Sequence, residues 1–89
     1  MPTVYLVIHG KVQGVFFRAS ARKAAVALGI KGWVKNRQDG HVEIMASGSG
    51  EKLEKFIQWC SQGPPGAEVS AVERFAVEDI AFDKFSIEK

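Results

Sequence analysis

Two stretches of helical period are set among runs of strand period, and that alternation constrains the fold more than any single residue. Ala21, Ala24, Ala25 and Leu28 recur at i, i+3, i+4 and i+7, the spacing that lines one face of a helix. Leu53, Phe56, Ile57 and Cys60 repeat that pattern later in the chain. Elsewhere the period is two. Val4, Leu6 and Ile8 alternate with Tyr5, Val7 and His9, and Val42, Ile44 and Ala46 alternate with His41, Glu43 and Met45. Alternation of this kind marks strands with one buried face. Local signals punctuate the runs: Gly29 as a left-handed helix cap, Asp39-Gly40 as a hairpin turn, Ser49 as an N-cap and Gly63-Pro64-Pro65-Gly66 as a helix stop.

The predicted order is a strand over Val4–His9, a helix over Arg18–Leu28, and strands over Lys31–Lys35 and His41–Ser47. A second helix over Glu51–Ser61, a long strand over Val69–Glu78 and a short last strand over Lys84–Glu88 complete it. This is the α+β succession of a ferredoxin-like, split βαβ sandwich: βαββαβ plus a short terminal strand. It implies one mostly antiparallel sheet with both helices on one face. The right-handed crossover rule sets the first and third strands side by side, so the loop leaving the first strand can neighbour the hairpin after the second. Residues 1–89 are read as one domain, long enough for a single core. The fold decides no function, since it carries enzymes, RNA binders, metal carriers and regulatory modules alike.

Composition narrows the classes. A net charge of +2 is too weak to drive non-specific nucleic-acid binding, although it can be concentrated at one site. There is no basic-then-apolar leader and no run of membrane-spanning length. The single cysteine, Cys60, cannot form an internal disulfide. The expectation is a cytoplasmic monomer with no nucleic-acid or membrane partner. The chain stops directly after its last predicted strand, which favours a free-standing protein.

The chemistry concentrates between the first strand and the first helix, in Gly10-Lys11-Val12-Gln13-Gly14-Val15-Phe16-Phe17-Arg18. A glycine-punctuated loop entering a helix can aim several backbone N–H groups at one point, where the helix dipole also favours negative charge. Arg18 stands at the junction, and its planar guanidinium matches phosphate oxygens. Such a loop can equally serve only to reverse the chain, with Arg18 a solvated surface residue. No Gly-Lys-Ser/Thr follows Gly14, and Gly10 and Gly14 do not fit Gly-x-Gly-x-x-Gly, so neither common nucleotide loop is present.

Other chemistries fall away. Base stacking needs aromatics on the central strands, and the third strand has none while the first offers only Tyr5. A metal carrier needs Cys-x-x-Cys in the first loop. A cysteine phosphatase needs its thiolate inside the cradle, whereas Cys60 belongs to a buried helical stripe. His9 and His41 read as isolated, partly exposed strand residues. Trp33 and Trp59 read as packing, and of Phe16 and Phe17 one reads as a core anchor and the other as a surface aromatic, without distinction between them. No pair of carboxylates is placed for acid–base work. What remains is the loop, Arg18 and the neutral amide of Asn36, which by itself is ordinary turn chemistry.

Two longer motifs change the weight of these residues. Ile8-His9-Gly10-Lys11-Val12-Gln13-Gly14-Val15-Phe16-Phe17-Arg18 is the first. Gly32-Trp33-Val34-Lys35-Asn36, with Gly40, Val42 and Gly48 after it, is the second. With Gly63-Pro64-Pro65 and the closing Phe85-Ser86-Ile87, they make the chain resemble an acylphosphatase over essentially its whole length. The resemblance implies hydrolysis of the carboxyl–phosphate bond of acyl phosphates to a carboxylate and inorganic phosphate, with no cofactor and no metal. It places the phosphate-binding arginine at Arg18 and the water-positioning asparagine at Asn36. The cradle would be the N–H groups of Gln13, Gly14, Val15, Phe16, Phe17 and Arg18. Two alternatives stand beside it: a module that holds a phosphorylated metabolite without turning it over, and a domain that works beside a larger carbamoyl-transfer chain.

Overall fold

In the computed structural model the elements are β1 (Thr3–Lys11), α1 (Phe17–Leu28), β2 (Lys31–Asn36), β3 (Val42–Ser47), α2 (Gly50–Gln62), β4 (Glu68–Val77) and β5 (Phe85–Glu88). All 89 residues are described. The strands form one sheet in the order β4-β1-β3-β2-β5. β1 pairs antiparallel with both β3 and β4, β2 pairs antiparallel with β3, and β5 lies parallel to β2. The ferredoxin-like architecture is therefore present, with β1 and β3 adjacent and β5 added at the β2 edge.

The two helical stripes and one face of each central strand make a single core. Val4, Leu6 and Ile8 of β1, Val34 of β2, and Val42, Ile44 and Ala46 of β3 pack with Phe17, Ala21 and Ala25 of α1. From α2 come Leu53, Phe56 and Cys60, and from β5 Phe85. Alanines in the α1 stripe keep that helix close to the sheet. Trp59 lies near Phe17 and is stacked on Phe56, at centroid distances of 5.4 and 6.3 Å. The local punctuation acts as read: Gly29 caps α1 at φ 71°, and the Ser49 side chain accepts from the Lys52 N–H. Glu51 and Lys55 pair across one turn at 3.9 Å.

Element ends differ from the sequence reading by one or two residues, and one difference matters. Asn36 is the last residue of β2, held by pairing with Val42, rather than the first residue of a free turn. The histidines also differ from expectation. Ile8 opposite Val42 brings His9 and His41 together, with ring centroids 4.2 Å apart, and His9 additionally pairs with Glu73 of β4. They form a small cluster on the helix-free face, and His41 precedes β3 instead of lying within it.

At the end of β1 the chain must leave the sheet to make the loop. The register with β4 shifts between His9 and Gly10, and Gly10 adopts φ 119°. A Cβ there would collide with the Glu68 carbonyl oxygen. Only glycine lets β1 kink at this bulge and deliver Val12 to Phe16 across the N-terminus of α1.

Candidate active site

Helix α1 begins without a side-chain cap. Its N-cap residue, Phe16, sits in the left-handed region at φ 61°, ψ 25°, and no acidic residue occupies the first turn. The first bond of the helical ladder is from the Ser20 N–H to the Phe16 carbonyl at 3.0 Å. None of the backbone N–H groups of Gln13, Gly14, Val15 and Phe16 donates to another backbone group of the protein. Unpaired donors at a helix start, together with the dipole, favour an anion. Gly14 at φ 76° and Phe16 both take left-handed conformations, a backbone pattern that curls successive N–H groups toward one concavity.

Arg18 is placed by α1 and aimed by β5. Its Nη1 donates to the Glu88 carbonyl at 3.3 Å, and one turn later Arg22 Nε donates to the Phe85 carbonyl at 3.2 Å. The two arginines tie the helix to the last strand, and Arg18 also borders the loop. A cavity of about 300 Å³ opens there, lined by Val12, Gly14, Phe16, Phe17, Arg18, Ala19, Asn36 and Ile87. The structure thus brings Arg18 and Asn36 into one cavity from separate elements.

Of the six proposed cradle residues, four line this cavity: Gly14, Phe16, Phe17 and Arg18. Gln13 and Val15 do not. Val15 packs against the core. The Gln13 side chain turns toward the hairpin, where its amide donates to the carbonyls of Arg37 and His41 at 2.7 and 2.8 Å. It fastens the loop to the segment that begins just after Asn36. Phe17 is the core anchor and Phe16 the surface aromatic, 83% exposed.

The hairpin is braced from within as well. Arg37 N–H donates to the His41 carbonyl at 2.8 Å, and the Asp39 carboxylate accepts from the His41 N–H at 3.1 Å. The Arg37 guanidinium lies 2.9 Å from Asp39 and also donates to the Tyr5 hydroxyl. The His41 N–H bond first, and Arg37 after it, hold the Asp39 carboxyl below the usual carboxylate range. Asn36 also borders a second hollow, a polar one lined by Tyr5, Lys35, Arg37, Gln38, Asp39, Glu43 and Lys89. It therefore stands between a polar, open region and the more apolar cavity that holds Arg18.

No cysteine, histidine or carboxylate lines the cavity shared by Arg18 and Asn36. Cys60 is fully buried in the α2 stripe, and burial pushes its thiol up, away from the reactive thiolate. Ile87, Val12 and Ala19 complete the lining, and no sequence signal assigns any of them a role in the site. Ile87 reaches it because β5 runs parallel to β2 with Ile87 opposite Val34, a register that no local signal in the chain declares.

The model of the family described as Acylphosphatase matches residues 4–87. The chain belongs to the acylphosphatase family. It is 54% identical over 69 residues to an acylphosphatase of Pelotomaculum thermopropionicum, covering 78% of this chain and 75% of that one. An acylphosphatase of Cupriavidus metallidurans is 48% identical over 83 residues, covering 93% of this chain and 87% of its own. The crystal structure of acylphosphatase from Bacillus subtilis superposes with a TM-score of 0.97 at 33% identity, each chain covered in full. Membership makes the chain an enzyme of acyl phosphate hydrolysis. No helix is long and apolar enough to cross a membrane.

Proposed function

We propose that this chain hydrolyses acyl phosphates by direct attack of a water held by Asn36 on a phosphate held by Arg18 and the loop. The supporting observation is that both side chains and the start of α1 border one cavity that offers no nucleophilic side chain. The N–H groups from Gln13 to Arg18 would receive the phosphoryl oxygens, with the Arg18 fork closing over them. The proposed enzyme is a monomer acting on a small molecule.

Such a site is chemically sufficient. The leaving group is a carboxylate whose conjugate acid has a pKa near ~4, so it departs without a general acid. Phosphoryl transfer asks chiefly for in-line positioning and for stabilisation of charge on the equatorial oxygens. Asn36 can orient a water but cannot deprotonate it. The proton passes to the substrate phosphate or to solvent as the P–O bond to the carboxylate breaks. No bond to the protein forms at any step.

The test is single-turnover hydrolysis of acetyl phosphate and benzoyl phosphate in ¹⁸O-labelled water, with and without chelator. Label is expected in inorganic phosphate and not in the carboxylate. Acid quenching is expected to trap no protein-bound phosphate, and rates are to be the same with chelator. Protein-bound phosphate, label in the carboxylate, or a rate abolished by chelator would each overturn the mechanism.

A further inference from the structure

Acyl phosphates share their phosphate end and differ in their acyl end, and two exposed apolar side chains stand at this cavity. Phe16 is 83% exposed although it is a large aromatic, and Ile87 is 41% exposed at the far end of β5. Both line the cavity that contains Arg18 and Asn36. Phe16 is also the only non-glycine residue with a positive φ, a conformation that costs about 1 kcal/mol or more for a side chain of this type. The loop therefore holds an aromatic ring out of the core, at the mouth of the anion cradle.

The two sides of Asn36 are unlike. The hollow beyond it is lined almost wholly by polar and charged groups, among them Lys35, Arg37 and Asp39, and readily holds water. The cavity on the Arg18 side adds Val12, Phe16, Phe17 and Ile87 to the cradle. In an in-line displacement the attacking water and the departing carboxylate occupy opposite faces of phosphorus. With water drawn from the polar hollow, the apolar wall is left for the acyl group.

We infer that Phe16 and Ile87 form the acyl subsite and that the enzyme prefers acyl phosphates with an aromatic or extended apolar acyl group over acetyl phosphate. This rests on the reading of Arg18 and Asn36 as the phosphate and water sites. Burying a few methylenes against such a wall shifts discrimination by about tenfold or more, since one methylene in a well-formed pocket is worth roughly tenfold at least and this wall is half open. The cradle, which the substrates share, contributes nothing to the difference.

The test compares kcat/KM for acetyl, butyryl and hexanoyl phosphate, whose leaving carboxylates have nearly equal basicity and so nearly equal intrinsic reactivity. In the wild type kcat/KM is expected to rise about tenfold from acetyl to hexanoyl phosphate. Phe16→Asn keeps a residue that tolerates the left-handed conformation, and Ile87→Thr keeps a β-branched strand residue. Each is expected to cut the hexanoyl-to-acetyl ratio by threefold or more, mainly through KM for hexanoyl phosphate. Inorganic phosphate inhibition of Ile87→Thr is to stay within twofold of the wild type, and circular dichroism checks that both variants fold. Hydrolysis of all three substrates with equal kcat/KM, or a ratio unmoved in both variants, overturns the subsite and leaves the phosphate reading standing. No hydrolysis of any of the three by the wild type overturns both.

Discussion

The side-chain amide of Gln13 donates to the Arg37 carbonyl at 2.7 Å, and so joins the loop before α1 to the residue that follows Asn36. A second bond to the His41 carbonyl closes the clamp at 2.8 Å. A residue that does not line the cavity thus helps to hold the loop on its Arg18 side against the hairpin on its Asn36 side.

Gln13→Ala should weaken this link in two ways. Two side-chain-to-backbone bonds, at about 0.5–1.5 kcal/mol each, predict a stability loss of about 1–3 kcal/mol. For a domain of this size that lowers Tm by several degrees at least, since each kcal/mol is worth ~4–8 °C. Looser registration of Asn36 against the phosphate should also lower kcat, by about tenfold or more. Thermal melting beside steady-state kinetics checks both. A Gln13→Ala protein with wild-type Tm and kcat would show that the clamp has no consequence.

Asp39 gives the hairpin a pH dependence whose sign is fixed. Its folded pKa is lowered, first by the His41 N–H and then by Arg37. A carboxyl of this kind contributes stability above its unfolded pKa of about 4, and loses it as pH falls through the lowered folded value. Asp39→Ala should therefore lower Tm at neutral pH, and the gap to the wild type should close as pH falls below about 4 and through the lowered folded value. Melting curves across that range decide the matter. A gap that stays constant or widens in acid would place the cost of the substitution elsewhere.

Cys60 belongs to packing. It is buried between the helices and the sheet, and its thiol pKa is raised by that burial. Alkylating reagents should modify it slowly in the folded protein and rapidly in denaturant. Cys60→Ala should lower stability by about 1–2 kcal/mol while preserving kcat. A folded Cys60→Ala protein without activity would return a thiol mechanism to consideration.

The parts of this structure that were legible in the sequence are those set by short-range physics. The period of Ala21, Ala25 and their neighbours, the cap at Gly29 and the Asp39-Gly40 turn each act within a few residues, and the element order followed. Arg18 and Asn36 became legible as a pair through motifs rather than through geometry. What stayed hidden depends on register between distant segments. The partners of the Gln13 amide lie 24 and 28 residues away, and they meet it only once the hairpin docks beside the loop. His9 and His41 meet because Ile8 lies opposite Val42, a match that one residue of slippage would destroy. Ile87 reaches the cavity through a parallel pairing that nothing local to Phe85–Glu88 announces. The left-handed conformation of Phe16 is likewise imposed by its surroundings, since an aromatic residue does not ask for it.

The sharpest prediction separates binding from catalysis at Asn36. Its position is fixed by pairing of β2 with β3, so Asn36→Ala should keep the fold. If the amide holds the attacking water, the variant should retain affinity for inorganic phosphate, because Arg18 and the loop N–H groups make those contacts. Turnover should fall on the order of 10²–10³-fold, the scale seen when one preorganised hydrogen bond to the reacting centre is lost. An interaction made only in the transition state lowers kcat and kcat/KM together, with little change in KM. Asn36→Asp should give no rescue, although it offers a base. A carboxylate beside a bound phosphate repels it, and attack is limited by positioning rather than by deprotonation. Calorimetric phosphate binding beside single-turnover hydrolysis of acetyl phosphate, for both variants, tests each part. Full turnover in a folded Asn36→Ala protein would reduce Asn36 to the end of a strand, and the water would need another holder in a cavity that offers none.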